Sequence, residues 1–277
     1  SDTKTYYVSQ SGSGTICTET SPCSYSEGIK QVQPGERVFV VGTITSAINL
    51  NKSGTENNPI TFEGGVYDGS NFGSGSGSNV VSVTGSYIIV KNTEIRNGYG
   101  FGIRTNGDYI ELDNVYAHHN VRRFYNGTTC TNTTGGWEAG IRISPGSDFV
   151  TVKNSRSWLN CGEGIGVFAG SNATIINNDV RNNWSVNIYI DQANYATASD
   201  NISICDNSNY YRSGIQSRGI TFGAEGYGVG NIIGAQVLRN TVQGCKGIYF
   251  YAQVSSKLQD STIALNDLSK VVGVAIS

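Results

Sequence analysis

The sequence predicts an all-β protein built as a parallel β-helix, and its internal repeats are the main reason. A five-residue segment with an aliphatic residue at its centre, preceded by glycine in five of the copies and by asparagine in one, occurs six times, at residues 139–143, 163–167, 186–190, 218–222, 246–250 and 272–276. Within each copy apolar and outward-facing residues alternate, which is the period of a β-strand with one buried face. Repeats of one short strand are typical of a solenoid in which coils stack on one another.

A second strand in each repeat ends in asparagine, and these asparagines measure the length of the coil. The predicted column contains Asn92, Asn114, Asn154, Asn178, Asn201, Asn240 and Asn266. The interval is 22 residues from Asn92 to Asn114 and 26 from Asn240 to Asn266, and two longer intervals each contain an insertion. Stacked coils would pair their strands at about 4.8 Å, and stacked asparagines would hydrogen-bond along the axis. A β-sandwich would instead need regular hairpin signals at shorter spacing.

Composition restricts the classes of function. The chain has 277 residues, 36 Gly, 4 Pro, 14% charged residues and a net charge of −2. A chain of many turns with few prolines fits strands that need their backbone N–H groups. The charge gives no general affinity for nucleic acid or an anionic membrane, and no apolar run is long enough for a membrane helix. We therefore expect no nucleic-acid partner and no membrane span.

Cysteines and glycosylation motifs indicate a secreted protein, extracellular or at a cell surface. The chain has six cysteines, and Asn-x-Ser/Thr motifs begin at Asn51, Asn126, Asn132, Asn172, Asn183 and Asn201. Both features are typical of an oxidising compartment. Cys17 and Cys23 close a short loop, and Cys205 and Cys245 follow equivalent asparagines on neighbouring coils, which leaves Cys130 for Cys161. Other connectivities remain open.

We expect one domain over residues 1–277, with an N-terminal cap and first strand at 1–42 and regular coils at 80–277. Ser24 and Glu27 form a capping-box pattern, and Tyr25, Ile29 and Val32 recur at helical spacing, which predicts a short helix covering the open end of the coils. Insertions are expected near residues 121–136 and 208–217. The sequence stops in mid-coil, so we expect that the natural chain continues, or that a partner or a second copy covers that end.

Four N-terminal segments resemble a known group of proteins. They are Tyr-Tyr-Val-Ser-Gln-Ser-Gly-Ser-Gly at 6–14, Ser-Pro-Cys-Ser at 21–24, Gln-Pro-Gly-Glu-Arg-Val at 33–38 and the segment 52–62. They are similar to the cap and first coil of right-handed parallel β-helix proteins of the pectate-lyase-like superfamily, and above all to polysaccharide lyases of family 9. The resemblance implies a right-handed β-helix with a short capping helix. The superfamily contains lyases, hydrolases, epimerases and non-catalytic adhesins, so the resemblance implies the fold more specifically than the chemistry.

Aligning the first strand of each coil predicts two outward columns of side chains. One contains Arg104, Arg142, Gly166, Tyr189, Thr221 and Tyr249, and the other contains Ser144, Phe168, Asp191, Gly223 and Tyr251. Aromatic rings repeated along a rigid face suit stacking against the sugars of a polysaccharide. Stacked rings could equally reinforce neighbouring strands.

Carboxylates and cations beside these columns are the candidate catalytic groups. Glu138, Glu163 and Glu225 stand at the strand corners, and Asp191 lies on a strand. Lyases of the resembled superfamily remove the proton next to a uronate carboxylate, often with Ca²⁺ bound by Asp and Glu. The resemblance therefore suggests Glu138, Glu163 and Asp191 as carboxylates, with Glu163 and Asp191 as calcium ligands. The base or substrate clamp would be Arg142, Arg218 or Lys246. Each of these could also be a solvated surface charge, and neither an Asp-rich calcium loop nor the family's catalytic-lysine motif is recognisable.

The first insertion adds the densest basic and aromatic group in the chain. It brings His118, His119, Arg122, Arg123, Tyr125 and Trp137 close to Arg104 and Arg142. An acidic polysaccharide would be attracted to this group, with Arg104, His119, Arg122 and Trp137 as binding residues. Adjacent strand residues face opposite ways, so His118 and His119 are not expected to share a metal. Tyr210, Tyr211 and Arg212 of the second insertion are expected to form a further wall of the groove.

The expected function is a secreted carbohydrate-active protein that binds an extracellular, acidic polysaccharide and cleaves it by β-elimination. Two alternatives stay open. One is a non-catalytic carbohydrate-binding protein or adhesin, which needs only the aromatic face. The other is a subunit of an extracellular fibre that self-associates through the uncapped C-terminal end.

Overall fold

The computed structural model describes residues 3–74, 79–131, 137–225, 230–253 and 255–277. It contains one α-helix, α1 (Tyr25–Gln31), and two short 3₁₀ turns, Arg122–Phe124 and Ser208–Tyr210. The strands are β1 (Thr5–Val8), β2 (Arg37–Val40), β3 (Thr43–Ile44), β4 (Ile48–Leu50), β5 (Ile60–Glu63), β6 (Val66–Asp68), β7 (Val81–Val83), β8 (Ile88–Arg96), β9 (Ile103–Thr105), β10 (Ile110–His118), β11 (Ala139–Ile143), β12 (Thr151–Lys153), β13 (Arg156–Trp158), β14 (Glu163–Phe168), β15 (Thr174–Ile176), β16 (Asp179–Arg181), β17 (Val186–Asp191), β18 (Thr197–Ser199), β19 (Ile202–Ile204), β20 (Arg218–Ala224), β21 (Ile232–Ile233), β22 (Gln236–Leu238), β23 (Thr241–Gln243), β24 (Lys246–Ala252), β25 (Leu258–Gln259), β26 (Thr262–Ala264) and β27 (Asp267–Lys270).

All of these strands except β21 and β25, which pair with each other in a separate two-stranded sheet, form three parallel faces of the β-helix. Face 1 is an eight-stranded sheet in the order β4-β7-β9-β11-β14-β17-β20-β24. Face 2 follows β1-β2-β5-β8-β10-β12-β15-β18-β22-β26, and face 3 follows β3-β6-β8-β10-β13-β16-β19-β23-β27. Strands β8 and β10 each belong to faces 2 and 3, because they turn the corner between these faces at Asn92 and Asn114, whose φ angles are 53°. The all-β class, the right-handed parallel β-helix and the N-terminal helix are as the sequence predicts.

The aliphatic column predicted inside face 1 is confirmed. Ile141 pairs with Ile165, and the register continues through Ile188, Ile220 and Ile248 on successive coils. All five side chains are fully buried. Because the register holds, Arg142, Gly166, Tyr189, Thr221 and Tyr249 form one outward column, as the alignment predicted.

The asparagine column of the sequence alignment is two columns in the structure, offset by one residue. Asn92, Asn114 and Asn154 occupy an exposed corner with positive φ, and Asn177 follows them there. The next residue of each coil points inward, where Asn178, Asn201, Asn240 and Asn266 form a ladder that is buried except at Asn266, its half-buried end. In this ladder each Nδ2 donates to the next Oδ1 at 3.0, 2.9 and 3.0 Å. The alignment missed the offset because asparagine suits both a left-handed corner and an inward amide stack.

A second buried ladder lies where face 3 leads into face 1. Asn120, Asn160, Asn183 and Asn187 donate from one amide to the next at 3.2, 2.8 and 3.0 Å. Asn183 and Asn201 are therefore buried members of ladders, although each begins a glycosylation motif. A buried amide cannot carry a sugar in the folded protein, so both are excluded as glycosylation sites. Asn132 lies outside the described residues.

All three predicted disulfides are present. The Cα atoms are 4.5 Å apart in Cys17–Cys23, 5.4 Å in Cys130–Cys161 and 4.8 Å in Cys205–Cys245. Disulfides are compatible with an extracellular location. The capping helix is also confirmed, since Ser24 is the N-cap of α1 and its hydroxyl accepts from the N–H of Glu27 at 3.2 Å. No described helix has the length and apolar character needed to cross a membrane.

The sixth copy of the repeat differs from the prediction. Residues 272–276 contain no strand, and only an isolated bridge between Ile248 and Ile276 continues face 1. Val272, Val274 and Ile276 are exposed because the described chain provides no further coil to pack on them. Self-association through this end stays a prediction.

Candidate functional site

A cleft of ≈ 660 Å³ lies on face 1 between the two insertions. Its floor is formed by outward side chains of β17, β20 and β24, and its walls include Trp137 after the first insertion and the segment around Arg212 in the second. We call it the insertion cleft. It is lined by Trp137, Ser185, Val186, Tyr189, Arg212, Ser213, Ile215, Gln216, Arg218, Glu225, Lys246, Tyr251 and Gln253.

A glycine in the outward column of face 1 makes room for a buried carboxyl group beside this cleft. Glu163 begins β14, and its carboxylate folds back over Gly166, where a Cβ atom would collide with Glu163 Oε2. Glu163 Oε2 accepts a hydrogen bond from Arg142 Nη2 at 3.1 Å. The Glu163 side chain is only 3% exposed. An outward position of the β-helix therefore contains an ion pair that is largely shielded from water.

A second glycine, Gly223, lies two coils further along face 1 and also makes room for polar side chains. A Cβ atom there would lie 2.5 Å from Tyr189 Oη and 2.8 Å from Asp191 Oδ1, so both groups lie over the glycine. Tyr189 Oη donates to Glu225 Oε1 at 2.5 Å. Asp191 Oδ1 is buried without a hydrogen-bond partner among the described residues. The hydroxyl and the two carboxyl groups thus form one polar group at the edge of the cleft.

Burial and mutual repulsion raise the pKa values of the carboxyl groups here. Burial, opposed in part by Arg142 and reinforced by Asp191 and Glu225, raises the pKa of Glu163 from 4.5 to about 7. Burial and then Glu225 raise the pKa of Asp191 from 3.8 to about 7. Burial and the nearby Asp191 charge also raise the pKa of Tyr189. Groups that titrate near neutral pH can exchange protons with a substrate, and such groups are concentrated at functional sites.

Three cations that line the insertion cleft have no carboxylate partner among the described residues. None of Arg212, Arg218 and Lys246 forms an ion pair within the part of the chain that the structure describes. Arg218 and Lys246 are register partners on neighbouring strands, so their charges lie about one coil rise apart. Arg212 lies against Trp137, 5.2 Å from its ring centroid. The cleft therefore combines positive charge with aromatic surface.

The two insertions pack together to form the wall that carries these groups. The Cys130 N–H donates to the Asn209 carbonyl at 2.8 Å, and the rings of Tyr125 and Tyr210 stack at 5.9 Å. Cys130 is bonded in turn to Cys161 on the coil. Arg142 Nη2 donates to the Trp137 carbonyl, which ties the end of the first insertion to face 1.

Comparison with known proteins identifies the fold. No protein-family model matches the sequence, and no curated protein matches it either. Among solved structures, pectate lyase Pel9A is similar over 99% of this chain and 82% of its own, with 18% identity and a TM-score of 0.64. An alginate lyase from Paenibacillus sp. matches over 99% of both chains, with 16% identity and a TM-score of 0.56. PfbA, a surface adhesin of Streptococcus pneumoniae, matches over 85% of this chain and 81% of its own, with 12% identity and a TM-score of 0.51.

The chain is a parallel β-helix like these proteins. At such low identities the likeness concerns the fold alone, and these proteins include lyases as well as an adhesin. What this β-helix does must therefore be inferred from its own residues.

The β-helix brings most of the predicted site residues to one place. Trp137, Tyr189, Arg218, Lys246 and Tyr251 line the insertion cleft. Arg142, Glu163 and Asp191 lie beside it, and Tyr249 packs against Arg218 at 4.9 Å. Phe168 is the register partner of Asp191 on the neighbouring strand.

Other predicted residues have different roles in the β-helix. Arg122 donates to the carbonyls of Gly69, Ser70 and Phe72 and holds a loop. Glu138 pairs with Arg123 at 2.5 Å. Arg104 donates to Ser144 at 2.7 Å and lines a separate groove further towards the N-terminus. His119 lies away from the insertion cleft, beside a small cavity.

Tyr189 differs from the predicted sugar-stacking residue. It is only 6% exposed, because Trp137 and the Glu225 carboxylate cover it. Its ring face is therefore not open to a sugar, and it can contribute its hydroxyl instead. Trp137 and Tyr251 are each 38% exposed and are the aromatic rings that a sugar could reach.

The expectation that His118 and His119 face opposite ways is wrong. Strand β10 ends at His118, and His119 has a φ of 54°, which turns its ring back to the same side. The two Nδ1 atoms lie 2.7 Å apart. Strict alternation applies only while the chain remains extended.

Sequence reasoning did not identify Ser185, Gln216 and Gln253, which also line the cleft. Their positions depend on how the second insertion folds onto face 1, and no repeat indicates this. The alignment did place Gly166 and Gly223 in the outward columns. A glycine in a column of larger residues is a sequence signal that neighbouring polar side chains can fold into the space it leaves.

The predicted calcium ligands do not fit a calcium site. Glu163 is engaged by Arg142, whose cation would oppose a second positive charge. Within the described ranges no group of three or more His, Cys, Asp or Glu residues is placed to hold a metal ion. Ca²⁺ prefers six to eight oxygen ligands, so two carboxylates beside an arginine are a poor match.

Proposed function

We propose that the insertion cleft binds an acidic polysaccharide and cleaves it by β-elimination, with Asp191 transferring the proton. The observation that carries this proposal is a cleft lined by three cations, beside which Asp191, a carboxyl group whose pKa is about 7, lies over Gly223 together with Tyr189. The similarity to proteins named as pectate and alginate lyases supports a polysaccharide as ligand. Secretion from the cell is part of the same proposal.

The cations explain why the substrate should be acidic. Arg218 and Lys246 lie about one coil rise apart on the floor, and Arg212 faces them from the wall. These cations would hold uronate carboxylates of the bound chain. Arg218 is the register partner of Val186, which precedes Asp191 by five residues on β17, so the cations would bind sugars neighbouring the one that Asp191 deprotonates. The exposed rings of Trp137 and Tyr251 would hold the apolar faces of the sugars.

The proposed reaction uses Asp191 first as a base and then as an acid. Its carboxylate takes the proton from C5 of the uronate, the C–H electron pair forms the C4–C5 double bond, and the C4–O4 bond breaks. The proton then passes from Asp191 to O4, so the enzyme returns to its starting state. A pKa of about 7 suits both steps at neutral pH.

Hydrolysis would need a second carboxyl group free to activate water. Glu163 is buried against Arg142, and Glu225 accepts from Tyr189. For this reason we favour elimination. The proposed steps use no calcium ion.

The test follows the products. The protein is incubated with polygalacturonate, alginate, chondroitin and cellulose, with Ca²⁺ and with chelator, while absorbance at 235 nm and reducing ends are recorded. We expect unsaturated product from an acidic polymer and none from cellulose. Asp191→Asn should lower the rate by at least about a hundredfold and leave binding intact, because the amide cannot accept the proton. Reducing ends without 235 nm absorbance would indicate hydrolysis and would contradict elimination.

Binding without products would favour the second candidate function, a non-catalytic carbohydrate-binding protein. The open rings of Trp137 and Tyr251 are compatible with this role, and PfbA is named as an adhesin. The double variant Arg218→Ala/Lys246→Ala should weaken binding to acidic polymers in a salt-dependent manner. Arg239→Ala is the matched control, because this arginine is exposed on face 2 and paired with Asp200.

A further inference from the structure

We propose that His118 and His119 form a binding site for a divalent metal ion of tetragonal geometry, such as Cu²⁺, at the start of the first insertion. The proposal is independent of the insertion cleft. It rests on the distance between two imidazole nitrogens and on the group that orients one of the rings.

The separation of the two nitrogens fits such an ion. His118 Nδ1 and His119 Nδ1 are 2.7 Å apart, and the rings meet at 81°. Two imidazole nitrogens bound about 2.0 Å from one ion at a right angle lie about 2.8 Å apart, whereas a tetrahedral ion requires about 3.3 Å. Ion binding would therefore change the distance between the two nitrogens little, while each ring would rotate so that its Nδ1 lone pair points at the ion instead of along the line between the nitrogens.

The hydrogen bonds already place a lone pair where a metal ligand needs it. His118 Nε2 lies 2.9 Å from Glu94 Oε1, and an ionised carboxylate can only accept. Nε2 of His118 therefore carries the proton, and its Nδ1 presents a lone pair towards His119. In the absence of metal, His119 Nδ1 donates its proton to that lone pair. Metal binding would displace this proton to His119 Nε2 or to solvent, and both Nδ1 atoms would then bind the ion.

Carboxylate support of one ring is typical of histidines that bind metals. Glu94 fixes the His118 ring from the side opposite Nδ1, and Tyr116 stacks on the same ring at 4.2 Å between centroids. Arg96 also contacts Glu94, at 3.0 Å, so the carboxylate is itself held in place. A carboxylate behind a ligating histidine sets its tautomer and orientation and usually affects metal affinity tenfold to a hundredfold.

The pair is accessible and occupies a mechanically important position. His119 is exposed, so water can reach the ion and complete its coordination. The next residues are Asn120, which belongs to a buried ladder, and Val121, from which the 3₁₀ turn of the first insertion begins. A bound ion would fix the point where the insertion leaves the coil. On the next coil, strand β13 pairs with β10, and its Trp158 is the register partner of His118.

The chain offers a clean test because it contains only two histidines. Purified protein is titrated with Cu²⁺ at pH 7.5 and followed by calorimetry, by electron paramagnetic resonance and by tryptophan fluorescence, since Trp158 lies beside His118. We expect one ion per chain, hyperfine coupling to two imidazole nitrogens and quenching of fluorescence. His118→Ala and His119→Ala should each weaken binding by more than about tenfold and remove one of the couplings.

Two further variants separate a built site from chance coordination. Glu94→Gln should weaken Cu²⁺ binding about tenfold while both nitrogen couplings remain, because the ring loses its orientation but not its ligand atom. Glu111→Gln is the control, since Glu111 is a carboxylate on the same strand as His118 that pairs with Lys153 instead. Equal affinity in wild type and His119→Ala, or a spectrum with fewer than two imidazole nitrogens, would overturn the proposal. The spectrum of the wild-type protein decides the matter even if a variant fails to fold.

Discussion

Gly166 and Gly223 explain how charged groups become buried on the outside of a β-helix. Outward side chains of a flat parallel sheet normally project into water, but a missing side chain leaves a recess one coil wide. Glu163 occupies the first recess, and Tyr189 and Asp191 occupy the second. The carboxyl groups lose hydration there, and burial raises their pKa values to about 7. The chemistry of the site therefore depends on residues that have no side chain.

The raised pKa of Glu163 has a consequence for stability. In the unfolded chain this carboxyl group titrates near its ordinary value of 4.5, whereas in the folded protein it titrates near 7. Between these values the folded state keeps a proton that the unfolded state has lost. The contribution of Glu163 to the free energy of unfolding is therefore full below about pH 4.5. It decreases as the pH rises towards 7, by at most about 1.4 kcal/mol per pH unit.

Glu163→Gln should flatten this dependence, because the amide does not titrate. The measurement is the free energy of unfolding in urea at several pH values between 4 and 8, with the exposed Glu19→Gln as control. We expect the difference in the free energy of unfolding between wild type and Glu163→Gln to change between pH 4 and 8. The difference between wild type and Glu19→Gln should stay constant over the same range. An unchanged difference from pH 4.5 to 7 for Glu163→Gln would mean that this carboxyl group titrates normally in the folded state.

At the scale of elements, the two insertions act as one unit. The first is anchored to the coil by Cys130–Cys161, and the second packs against it through Tyr210 and the Asn209 carbonyl. Trp137 and Arg212 then face the cleft from the combined wall. Neither insertion belongs to the repeating coil, so their mutual contacts and this disulfide fix the shape of the cleft.

Removing that disulfide should affect binding as well as stability. For Cys130→Ala/Cys161→Ala we expect a loss of about 3 to 4 kcal/mol of stability, as estimated for closing a loop of this length, with a sequence separation of 31. The affinity for acidic polysaccharide should fall at the same time, because Trp137 and Arg212 lose their support. Cys17→Ala/Cys23→Ala is the control, since it opens a six-residue separation in the N-terminal cap and should leave affinity unchanged. Equal affinities in the two double variants would show that the wall does not depend on its disulfide.

At the scale of the whole molecule, buried amides link the coils along the axis. In the ladder of Asn178, Asn201, Asn240 and Asn266, each side chain bonds to the next amide and to a backbone carbonyl. Such a chain satisfies polar groups that have no access to water, and each member depends on its neighbours. The ladder thus keeps the register on which the outward columns depend.

Asn201→Ala should be costly for this reason. It removes the Oδ1 that accepts from the backbone N–H and the Nδ2 of Asn178, and it takes one donor from the Ile175 carbonyl, while Asn240 Oδ1 keeps the backbone N–H of residue 201. Each buried unsatisfied group costs about 1 to 3 kcal/mol. We expect a loss of roughly 2 to 4 kcal/mol in urea unfolding. Asn154→Ala, in the exposed corner column, should cost only about 1 kcal/mol, mainly because alanine is disfavoured at its φ of 50°. Similar losses for both variants would contradict the distinction between the two columns.

Periodic features could be predicted from the sequence because they depend on spacing alone. The inward column of Ile141, Ile165 and Ile188 follows from strand alternation and coil length, and the same spacing placed Cys205 next to Cys245. Much of the candidate site was predictable for the same reason, since Arg218 and Lys246 fall into register. The one-residue offset of the asparagine column was not predictable, because both positions accept asparagine.

The sequence by itself determined the coil, its inward column and the capping helix, and it indicated the Cys17–Cys23 and Cys205–Cys245 pairs, since each follows from a local pattern or a repeated interval. The tertiary structure decided which groups meet outside the repeat. It packed one insertion on the other, placed Glu163 and Asp191 over glycines, and turned His119 onto the side of His118 through a single left-handed residue. These outcomes depend on contacts between distant segments and on one backbone torsion, and no periodicity in the sequence specifies either.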